Sequence, residues 1–282
     1  MTSLQSLGNA EQIDKPVRHI VALSGGKDST ALAVFLRKKI PNLEYVFCDS
    51  GEELQDTYDY IYKLQDYLSI YIKWLKDDRD FEYYLDMYKG VLPDPNKRWC
   101  TRMLKIKPFE EYVGDEPIIN YVGIRADEIQ RTGYISKKPN IKTEFPFIEN
   151  NIRLDGVLSI LKQEGLGLPE YYSWRSRSGC YFCFFQQKIE WVGLLENKPD
   201  YYLKAESFEK LDPKTGKKFT WMENESLKYI RNNPERIKAI KAEHKQRKIW
   251  QANQFKKDQT LFNLWANEDI NQRIKFPKNH SG

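Results

Sequence analysis

His19-Ile-Val-Ala-Leu-Ser-Gly-Gly-Lys-Asp-Ser29 joins a short apolar run to a glycine-rich turn, and a helical pattern follows it directly. The apolar residues up to Leu23 predict a buried strand, and the run from Ser29 to Lys39 has the apolar spacing of a helix. Strand, turn and helix in this order place unpaired backbone N–H groups and the positive end of a helix dipole at the turn. The turn therefore predicts a phosphate-binding loop.

Six residues of this turn are predicted to bind a nucleotide: Ser24, Gly25, Gly26, Lys27, Asp28 and Ser29. Glycines let the backbone approach a phosphate closely, lysine brings a mobile positive charge, and the serines bring hydroxyls. Asp28 could help to hold Mg²⁺. The spacing differs from a Walker A loop, which needs glycine at the position of Val21 and Ser or Thr at that of Asp28. The alternative is an ordinary strand–turn–helix connection, which the six residues together disfavour.

Strand and helix patterns alternate through the first half of the chain. Further strands are predicted over Leu43–Cys48, residues 69–75 and residues 118–124, with a helix over about 53–68. This alternation predicts an α/β fold, an open and mostly parallel sheet with helices on both faces, followed by a mainly helical C-terminal region. We expect a flexible N-terminus (1–16), a nucleotide-binding α/β domain (17–150), a cysteine-bearing helical segment (151–210) and a basic helical region (211–282).

Composition limits the class of protein. The chain has 282 residues, of which 40% are hydrophobic and 30% charged, as in soluble globular proteins. No apolar run reaches the roughly 18 residues that span a bilayer, and the first residues do not have the pattern of a signal peptide. We therefore expect a cytoplasmic protein without a membrane partner.

The charge is unevenly distributed. Residues 211–282 contain 16 Lys or Arg against 8 Asp or Glu, whereas the whole chain has a net charge of only +5. Such asymmetry suggests a polyanionic partner, with a solvated basic helix face as the equally weighted alternative.

The glycine-rich turn resembles the S-G-G-x-D-S signature of the PP-loop ATP pyrophosphatases, which have the adenine nucleotide alpha-hydrolase-like fold. Val46-Phe-Cys-Asp-Ser-Gly-Glu-Glu53 resembles the D-T-G-x-E segment of the phosphoadenosine phosphosulfate (PAPS) reductase-like family, with Asp49, Gly51 and Glu53 matching and Ser50 replacing Thr. Gly123-Ile-Arg-Ala-Asp-Glu128 resembles its G-x-R-x-x-E/S segment. The resemblance covers about residues 18–210.

This resemblance implies ATP and Mg²⁺ as cofactors. It implies nucleotide-binding roles for Asp49, Gly51, Glu53 and Arg125, with Arg125 reaching the phosphates. It also implies catalytic roles for Lys27, Asp28 and Arg125.

Three of the four cysteines are candidate metal ligands. Cys180-Tyr-Phe-Cys183 is a C-x₂-C pair, and Cys100 lies in a second family-like segment, Arg98-Trp-Cys-Thr-Arg-Met-Leu-Lys-Ile-Lys-Pro108. Cys100, Cys180 and Cys183 could hold three irons of a [4Fe–4S] cluster, with the open iron found in some PP-loop sulfur-transfer enzymes. Zinc, a redox dithiol, persulfide carriers and plain buried thiols are the alternatives. Cys48 is predicted to be a packing residue.

The segment Tyr171-Tyr-Ser-Trp-Arg-Ser-Arg-Ser178 interleaves aromatic rings with Arg175 and Arg177. Such a segment can grip phosphates and stack on bases. A loop packed over the cysteines is the favoured interpretation.

The resemblance also directs the functional prediction. PAPS reductases carry a catalytic cysteine near the C-terminus and the adenylylsulfate-reducing relatives a Cys-Cys pair; the sequence given has neither, so sulfonucleotide reduction is disfavoured. The resemblance is then to the DndC and SspD proteins of bacterial DNA phosphorothioation. It implies adenylation of a nucleic-acid group followed by sulfur insertion, with a cysteine desulfurase or other sulfur donor and further phosphorothioation proteins as partners. Thiolation of tRNA and a non-catalytic nucleotide-binding subunit are the rival hypotheses.

Overall fold

The structure is a computed structural model that describes residues 16–128, 130–131, 133, 135–211, 216 and 218–273; the side chains of residues 211, 218 and 255–273 are not described. The predicted flexible N-terminus, apart from Pro16, lies outside these ranges. The described residues form seven strands: β1 Arg18–Leu23, β2 Leu43–Cys48, β3 Ile72–Leu75, β4 Ile118–Tyr121, β5 Ile141–Glu144, β6 Lys210–Leu211 and β7 Lys218–Phe219.

Helices connect and follow these strands. The first six are α1 Lys27–Arg37, α2 Gln55–Leu68, α3 Phe81–Met87, α4 Trp99–Thr101, α5 Lys107–Val113 and α6 Pro146–Glu149. The remaining five are α7 Leu154–Gln163, α8 Lys188–Asn197, α9 Pro199–Ser207, α10 Leu227–Arg231 and α11 Pro234–Arg273. A π-helical turn, Arg102–Ile106, joins α4 to α5. In the described ranges, no helix combines the length and the apolar composition needed to cross a membrane.

The first five strands form one sheet in the order β3-β2-β1-β4-β5, and every neighbouring pair is parallel. Consecutive side chains of a strand point to opposite faces. Val21 accordingly packs with residues of α1, α2 and α7 on one face, while Ile20 packs with Phe109 and Val113 of α5 on the other. The predicted α/β fold, with a parallel sheet covered on both faces and a helical C-terminal region, is confirmed.

A second core lies outside the sheet and joins distant parts of the sequence. Phe81 and Trp99 come from the middle of the chain, whereas Phe182, Trp191 and Trp221 come from its later part, and all are buried together. The residues of α7, by contrast, belong to the core of the sheet. The two cores therefore do not divide at residue 150; the domain boundaries given above stay a prediction.

Three elements differ from expectation. The strand β5 was not predicted, and the short antiparallel pair β6 and β7 lies in a region expected to be helical. Helix α11, Pro234–Arg273, lies within the region expected to be helical.

Candidate active site at the carboxyl ends of the strands

The predicted nucleotide-binding residues lie at the carboxyl edge of the sheet. The chain adds β2 and β3 on one side of β1 and then β4 on the other, so the strand order reverses between β1 and β4. In open α/β sheets, a crevice forms at such a reversal and ligands bind there. The loop after β1 carries Ser24–Gly26 and the loop after β4 carries Gly123–Arg125. The two segments therefore face each other across the crevice.

The loop after β1 is shaped by its serines. The Oγ of Ser29 accepts a hydrogen bond from the backbone N of Ser24 at 3.1 Å and donates to the carbonyl oxygen of Gly26 at 3.2 Å. The hydroxyl oxygens of Ser24 and Ser29 are also 3.1 Å apart. Ser29 thus closes the turn from inside α1, while the helix that begins at Lys27 points its N-terminus at the crevice.

The two glycines of this loop cannot be replaced without displacement. Gly25 has φ +66°, and a Cβ there would lie 2.5 Å from Cγ2 of Thr57. A Cβ on Gly26 would lie 2.3 Å from Oγ of Ser178. The glycines are required because helix α2 and a later segment of the chain approach the loop on two sides.

Charged groups of the two facing loops meet at Asp28. Its Oδ1 accepts a hydrogen bond from Nη1 of Arg125 at 2.8 Å, and its Oδ2 lies 3.4 Å from Nζ of Lys27. Burial opposes the charge of Arg125, but hydrogen bonds from its guanidinium to Asp127 and Asp28 outweigh burial and raise its pKa. The three residues predicted to be catalytic, Lys27, Asp28 and Arg125, therefore lie in contact.

Residues 171–178, which we call the covering segment, pack on the phosphate loop. The backbone N–H of Lys27, one of the free donors at the start of α1, donates to the Tyr172 hydroxyl at 3.1 Å, and its Nζ lies 3.3 Å from the carbonyl oxygen of Ser176. The Ser178 hydroxyl lies 3.1 Å from that of Ser24, and the Tyr171 hydroxyl donates to the carbonyl of Gly25 at 3.0 Å. Polar groups of the protein itself thus occupy the face of the loop that is predicted to bind phosphate.

The two arginines of the covering segment have different surroundings. Arg175 is buried and donates to the carbonyl oxygens of Gly179 and Cys180 at 3.0 and 2.6 Å. It holds the turn that carries the cysteine pair and is not available to a ligand. Arg177 is exposed.

The three predicted nucleotide-binding residues of the loop after β2 do not lie together. Asp49 and Gly51 lie in the turn of the loop, and Glu53 lies beside Lys105. Asp49 caps its own turn by accepting from the backbone N of Gly51 at 2.8 Å, and also accepts from the Tyr58 hydroxyl. Glu53 is buried and accepts from Nζ of Lys105 at 3.2 Å. Glu53 therefore lies with the cysteines rather than against the phosphate loop.

The cysteines come together through aromatic packing. Trp99 precedes Cys100 and Phe182 lies between Cys180 and Cys183; both rings pack on Phe81, with centroids 5.0 and 4.3 Å from its own. This packing brings Cys100 into the neighbourhood of Cys180 and Cys183, and their shared role as metal ligands stays a prediction.

The Cys180 thiol lies in a polar pocket beside the loop after β2. Its Sγ is 3.2 Å from the Ser50 hydroxyl and 3.7 Å from Oε1 of Glu53. Burial and the Glu53 carboxylate raise the pKa of Cys180, against the opposing effect of Lys105. Burial likewise raises the pKa of Cys100, and the charge of a Cys183 thiolate adds to that effect. As placed, the thiols of Cys100 and Cys180 favour the protonated form.

The fourth cysteine behaves as expected. Burial raises the pKa of Cys48 to about 11, and its side chain packs in the core between the sheet and α5. This supports the prediction that Cys48 is a packing residue.

The thiols and carboxylates of this site are the candidate ligands for a metal ion. Within the described ranges, no three His, Cys, Asp or Glu side chains are placed to hold one metal ion. The three thiols have the chemistry of cluster or zinc ligands, but their placement in the described residues does not fit a shared metal. Mg²⁺ is a different case, because proteins hold it with one or two carboxylates together with substrate phosphates. Asp28 provides such a carboxylate beside the phosphate loop.

The sequence did not single out four residues of the site. Tyr171, Tyr172 and Ser178 of the covering segment contact the phosphate loop, and Lys105 lies beside Glu53. The alternation of aromatic, arginine and serine residues in the covering segment was the available signal for the first three. For Lys105 the signal was its position five residues after Cys100.

Comparison with known proteins agrees with this geometry. Residues 18–148 match the family model described as the phosphoadenosine phosphosulfate reductase domain. An uncharacterized protein of Methanocaldococcus jannaschii is 27% identical over 193 residues, covering 65% of this chain and 45% of that protein.

Two curated enzymes are also similar over shorter stretches. An adenosine 5'-phosphosulfate reductase of Staphylococcus haemolyticus is 28% identical over 128 residues, covering 44% of this chain and 52% of the enzyme. A tRNA-specific 2-thiouridylase of Lactobacillus johnsonii is 31% identical over 113 residues, covering 35% of this chain and 30% of the enzyme. The chain thus spans about half or less of the length of each relative.

The matched residues contain the whole sheet, the phosphate loop and Arg125. The loop lies at the N-terminus of a helix and beside a reversal of strand order, which is where open α/β sheets bind ligands. Over residues 18–148 this chain is therefore similar to the phosphoadenosine phosphosulfate reductase domain.

Proposed function

We propose that this protein is an ATP pyrophosphatase that adenylates a nucleic-acid group and prepares it for sulfur insertion. The observation that carries the proposal is the meeting of Lys27, Asp28 and Arg125 at the carboxyl edge of the sheet, on a loop without the Walker pattern. A cysteine beside the crevice supports a sulfur-transfer role, because Cys180 contacts Ser50 in the loop after β2.

The chain's own residues have distinct tasks in this reaction. The N-terminus of α1 and the Ser24 and Ser29 hydroxyls bind the ATP phosphates, and Lys27 neutralises charge that develops on the leaving pyrophosphate. Asp28 holds Mg²⁺, which supplies Lewis-acid stabilisation when bound. Arg125 orients Asp28 through the 2.8 Å contact and faces the phosphates from the opposite loop.

In the proposed reaction, adenylation turns the acceptor oxygen into a better leaving group. A phosphate oxygen or a base carbonyl oxygen leaves poorly, and attachment of AMP converts it into a good leaving group. A sulfur nucleophile then displaces AMP at the activated atom. The reaction requires that the acceptor and the sulfur donor approach the same crevice, which positioning by the two facing loops provides.

The decisive measurement is the identity of the products of ATP. Purified protein with Mg²⁺ should release AMP and pyrophosphate, and ADP with orthophosphate would contradict the proposal. Release of neither, with ATP bound tightly, would instead support a nucleotide-binding subunit.

DNA backbone phosphorothioation is the reaction we favour among the possible acceptors, with a cysteine desulfurase as sulfur donor. Thiolation of tRNA bases is the second candidate, because the similarity to a tRNA-specific 2-thiouridylase covers part of the chain. Digestion of cellular nucleic acid followed by mass spectrometry separates the two: phosphorothioate dinucleotides identify the first reaction and thiolated nucleosides the second. A sulfonucleotide reductase would reduce adenylylsulfate or its 3'-phosphate in the absence of nucleic acid.

The state of the three thiols needs its own measurement. The sequence predicts a [4Fe–4S] cluster on Cys100, Cys180 and Cys183, and protein purified without oxygen would then be brown with about four irons per chain. Stoichiometric zinc would replace that prediction by a structural site. Absence of metal in protein that turns over would leave the thiols as persulfide carriers or packing residues, which their present placement fits better.

A further inference from the structure

Three side chains on the surface beside the cysteines form a group that the proposed reaction does not use. The guanidinium carbons of Arg98 and Arg177 lie 5.6 and 5.5 Å from the ring centroid of Phe185. Both distances are within the range of cation–π attraction. Phe185 remains 41% exposed. We call these three residues the Arg–Phe–Arg group.

Both arginines lack an acidic partner within the described part of the chain. Neither Arg98 nor Arg177 makes a salt bridge or side-chain hydrogen bond there, whereas Arg102, close to Arg98 in sequence, is paired with Glu110. An unpaired guanidinium offers several N–H donors in a plane, and that geometry suits phosphate oxygens. Two such cations on one exposed ring present positive charge and a flat apolar surface together.

The position of the group connects the two parts of the site. Arg98 is two residues before Cys100, and Phe185 is two residues after Cys183. Arg177 directly precedes Ser178, whose hydroxyl contacts Ser24 of the phosphate loop. A ligand held by this group would therefore lie at the rim of the crevice, between the phosphate loop and the cysteines.

We propose that the Arg–Phe–Arg group is the docking site for a nucleic-acid strand, with one unstacked base on Phe185 and the flanking phosphates on Arg98 and Arg177. Base stacking on an aromatic ring beside arginines is the usual way in which proteins grip single strands. An exposed ring cannot reach a base inside a duplex unless that base leaves the stack. The inference rests on the proposed function for its choice of nucleic acid as the ligand.

The test is oligonucleotide affinity, measured by fluorescence anisotropy with a labelled single strand of about 12 nucleotides. Phe185→Ala should weaken binding at least about fivefold, because a base–aromatic stack is lost. Phe185→Trp should keep or strengthen it. Arg98→Gln and Arg177→Gln should each weaken binding and reduce the slope of log affinity against log salt by roughly 0.7, one phosphate contact on a single strand.

The chain offers a matched control. Arg79 lies over the exposed ring of Tyr83 at 4.9 Å, but Asp78, Asp80 and Glu82 surround it in the sequence. Arg79→Gln and Tyr83→Ala should leave the affinity unchanged. All five positions are exposed, and circular dichroism would confirm that each variant is folded.

The outcomes are separable from those of the proposed function. Equal affinity of wild type and the three variants, with equal salt slopes, would overturn the docking site whatever the protein does with ATP. Tighter binding to an intact duplex than to the single strand would overturn the unstacked base. The affinities for one base sequence, made once as DNA and once as RNA, indicate which nucleic acid is the acceptor. A preference for either one supports the docking site. Production of ADP would refute the pyrophosphatase and leave this binding result intact.

Discussion

The contacts of Lys27 suit a role in phosphate binding better than a role in stabilising the fold. Its side chain lies between Asp28, the carbonyl of Ser176 and the ring of Tyr172, at the open edge of the sheet. Lys27→Ala should reduce the rate of AMP formation by about 100-fold or more, as loss of a group that stabilises developing charge does. The control is Lys39→Ala, which changes a lysine just beyond the far end of α1 and should retain the wild-type rate. Loss of less than threefold in Lys27→Ala would remove it from the catalytic group.

In the proposed function, the Tyr172 hydroxyl competes with a nucleotide phosphate for one hydrogen-bond donor of the loop. The hydroxyl accepts the Lys27 N–H that a phosphate would otherwise take. Tyr172→Phe should therefore bind ATP about two- to tenfold more tightly, the range that one net hydrogen bond provides. Isothermal titration with a non-hydrolysable ATP analogue measures this, with Tyr229→Phe, on the exposed face of α10, as the control. Weaker binding in Tyr172→Phe would show that the hydroxyl contacts the nucleotide.

The strand, turn and helix around Ser24–Ser29 could be predicted from the sequence, but the placement of the thiol group could not. Ser24–Ser29 is a local motif, and its neighbours along the chain fix its strand, turn and helix. Cys100 meets the C-x₂-C pair only because Trp99 and Phe182 pack on Phe81. That contact depends on the tertiary arrangement of three distant aromatic residues, so the sequence supplied the residues without their geometry.

At the scale of elements, Glu209 links the hairpin of β6 and β7 to α10. Its carboxylate accepts from the backbone N–H groups of Trp221 and Leu227 at 3.1 and 2.8 Å. Burial raises the pKa of Glu209 to about 7, from an ordinary value of 4.5, despite these hydrogen bonds. The folded protein therefore binds more protons than the unfolded protein between these two pH values.

This linkage fixes the sign of a pH effect. Stability contributed by Glu209 is fully present below about pH 4.5 and is lost as pH rises through about 7. Thermal unfolding in Glu209→Gln should have a smaller decrease in midpoint between pH 5 and 8 than in wild type. Glu223→Gln, an exposed position on the same segment, should follow the wild-type curve. Parallel curves for wild type and Glu209→Gln would contradict the proton linkage.

The type of an element, helix or strand, could be predicted where its apolar pattern was long. The prediction failed where that pattern was short. The strand β1 follows from an apolar run, and helix α2 follows from helical spacing of its apolar residues. The four residues of β5 contain a single buried apolar side chain, Ile141, so they carry no strand pattern. They are a strand because they pair with β4, which makes β5 the edge strand of the sheet.

At the scale of the whole molecule, the basic C-terminal region is partly neutralised by the fold. Arg231 pairs with Glu206, Arg236 with Glu225, and Lys241 with Glu196. Its removal would also damage the second core, because Trp221 and Leu227 belong to that core. Truncation after about Leu211 would therefore test folding and not nucleic-acid binding.

Point charges on α11 give a cleaner test of a polyanionic partner. Lys245 and Lys248 are exposed and make no salt bridge within the described residues, whereas Lys238 and Lys241 are held by Glu235 and Glu196. Reversal of the two unpaired lysines to Glu should weaken oligonucleotide binding and reduce the salt slope by roughly 1.5, as loss of two phosphate contacts does. The same reversal at Lys238 and Lys241 should have a smaller effect, because those charges are already neutralised by acidic partners. Unchanged affinity and slope in the first variant would show that the positive charge of this helix is solvated surface, and nucleic-acid binding would then depend on the Arg–Phe–Arg group without help from α11.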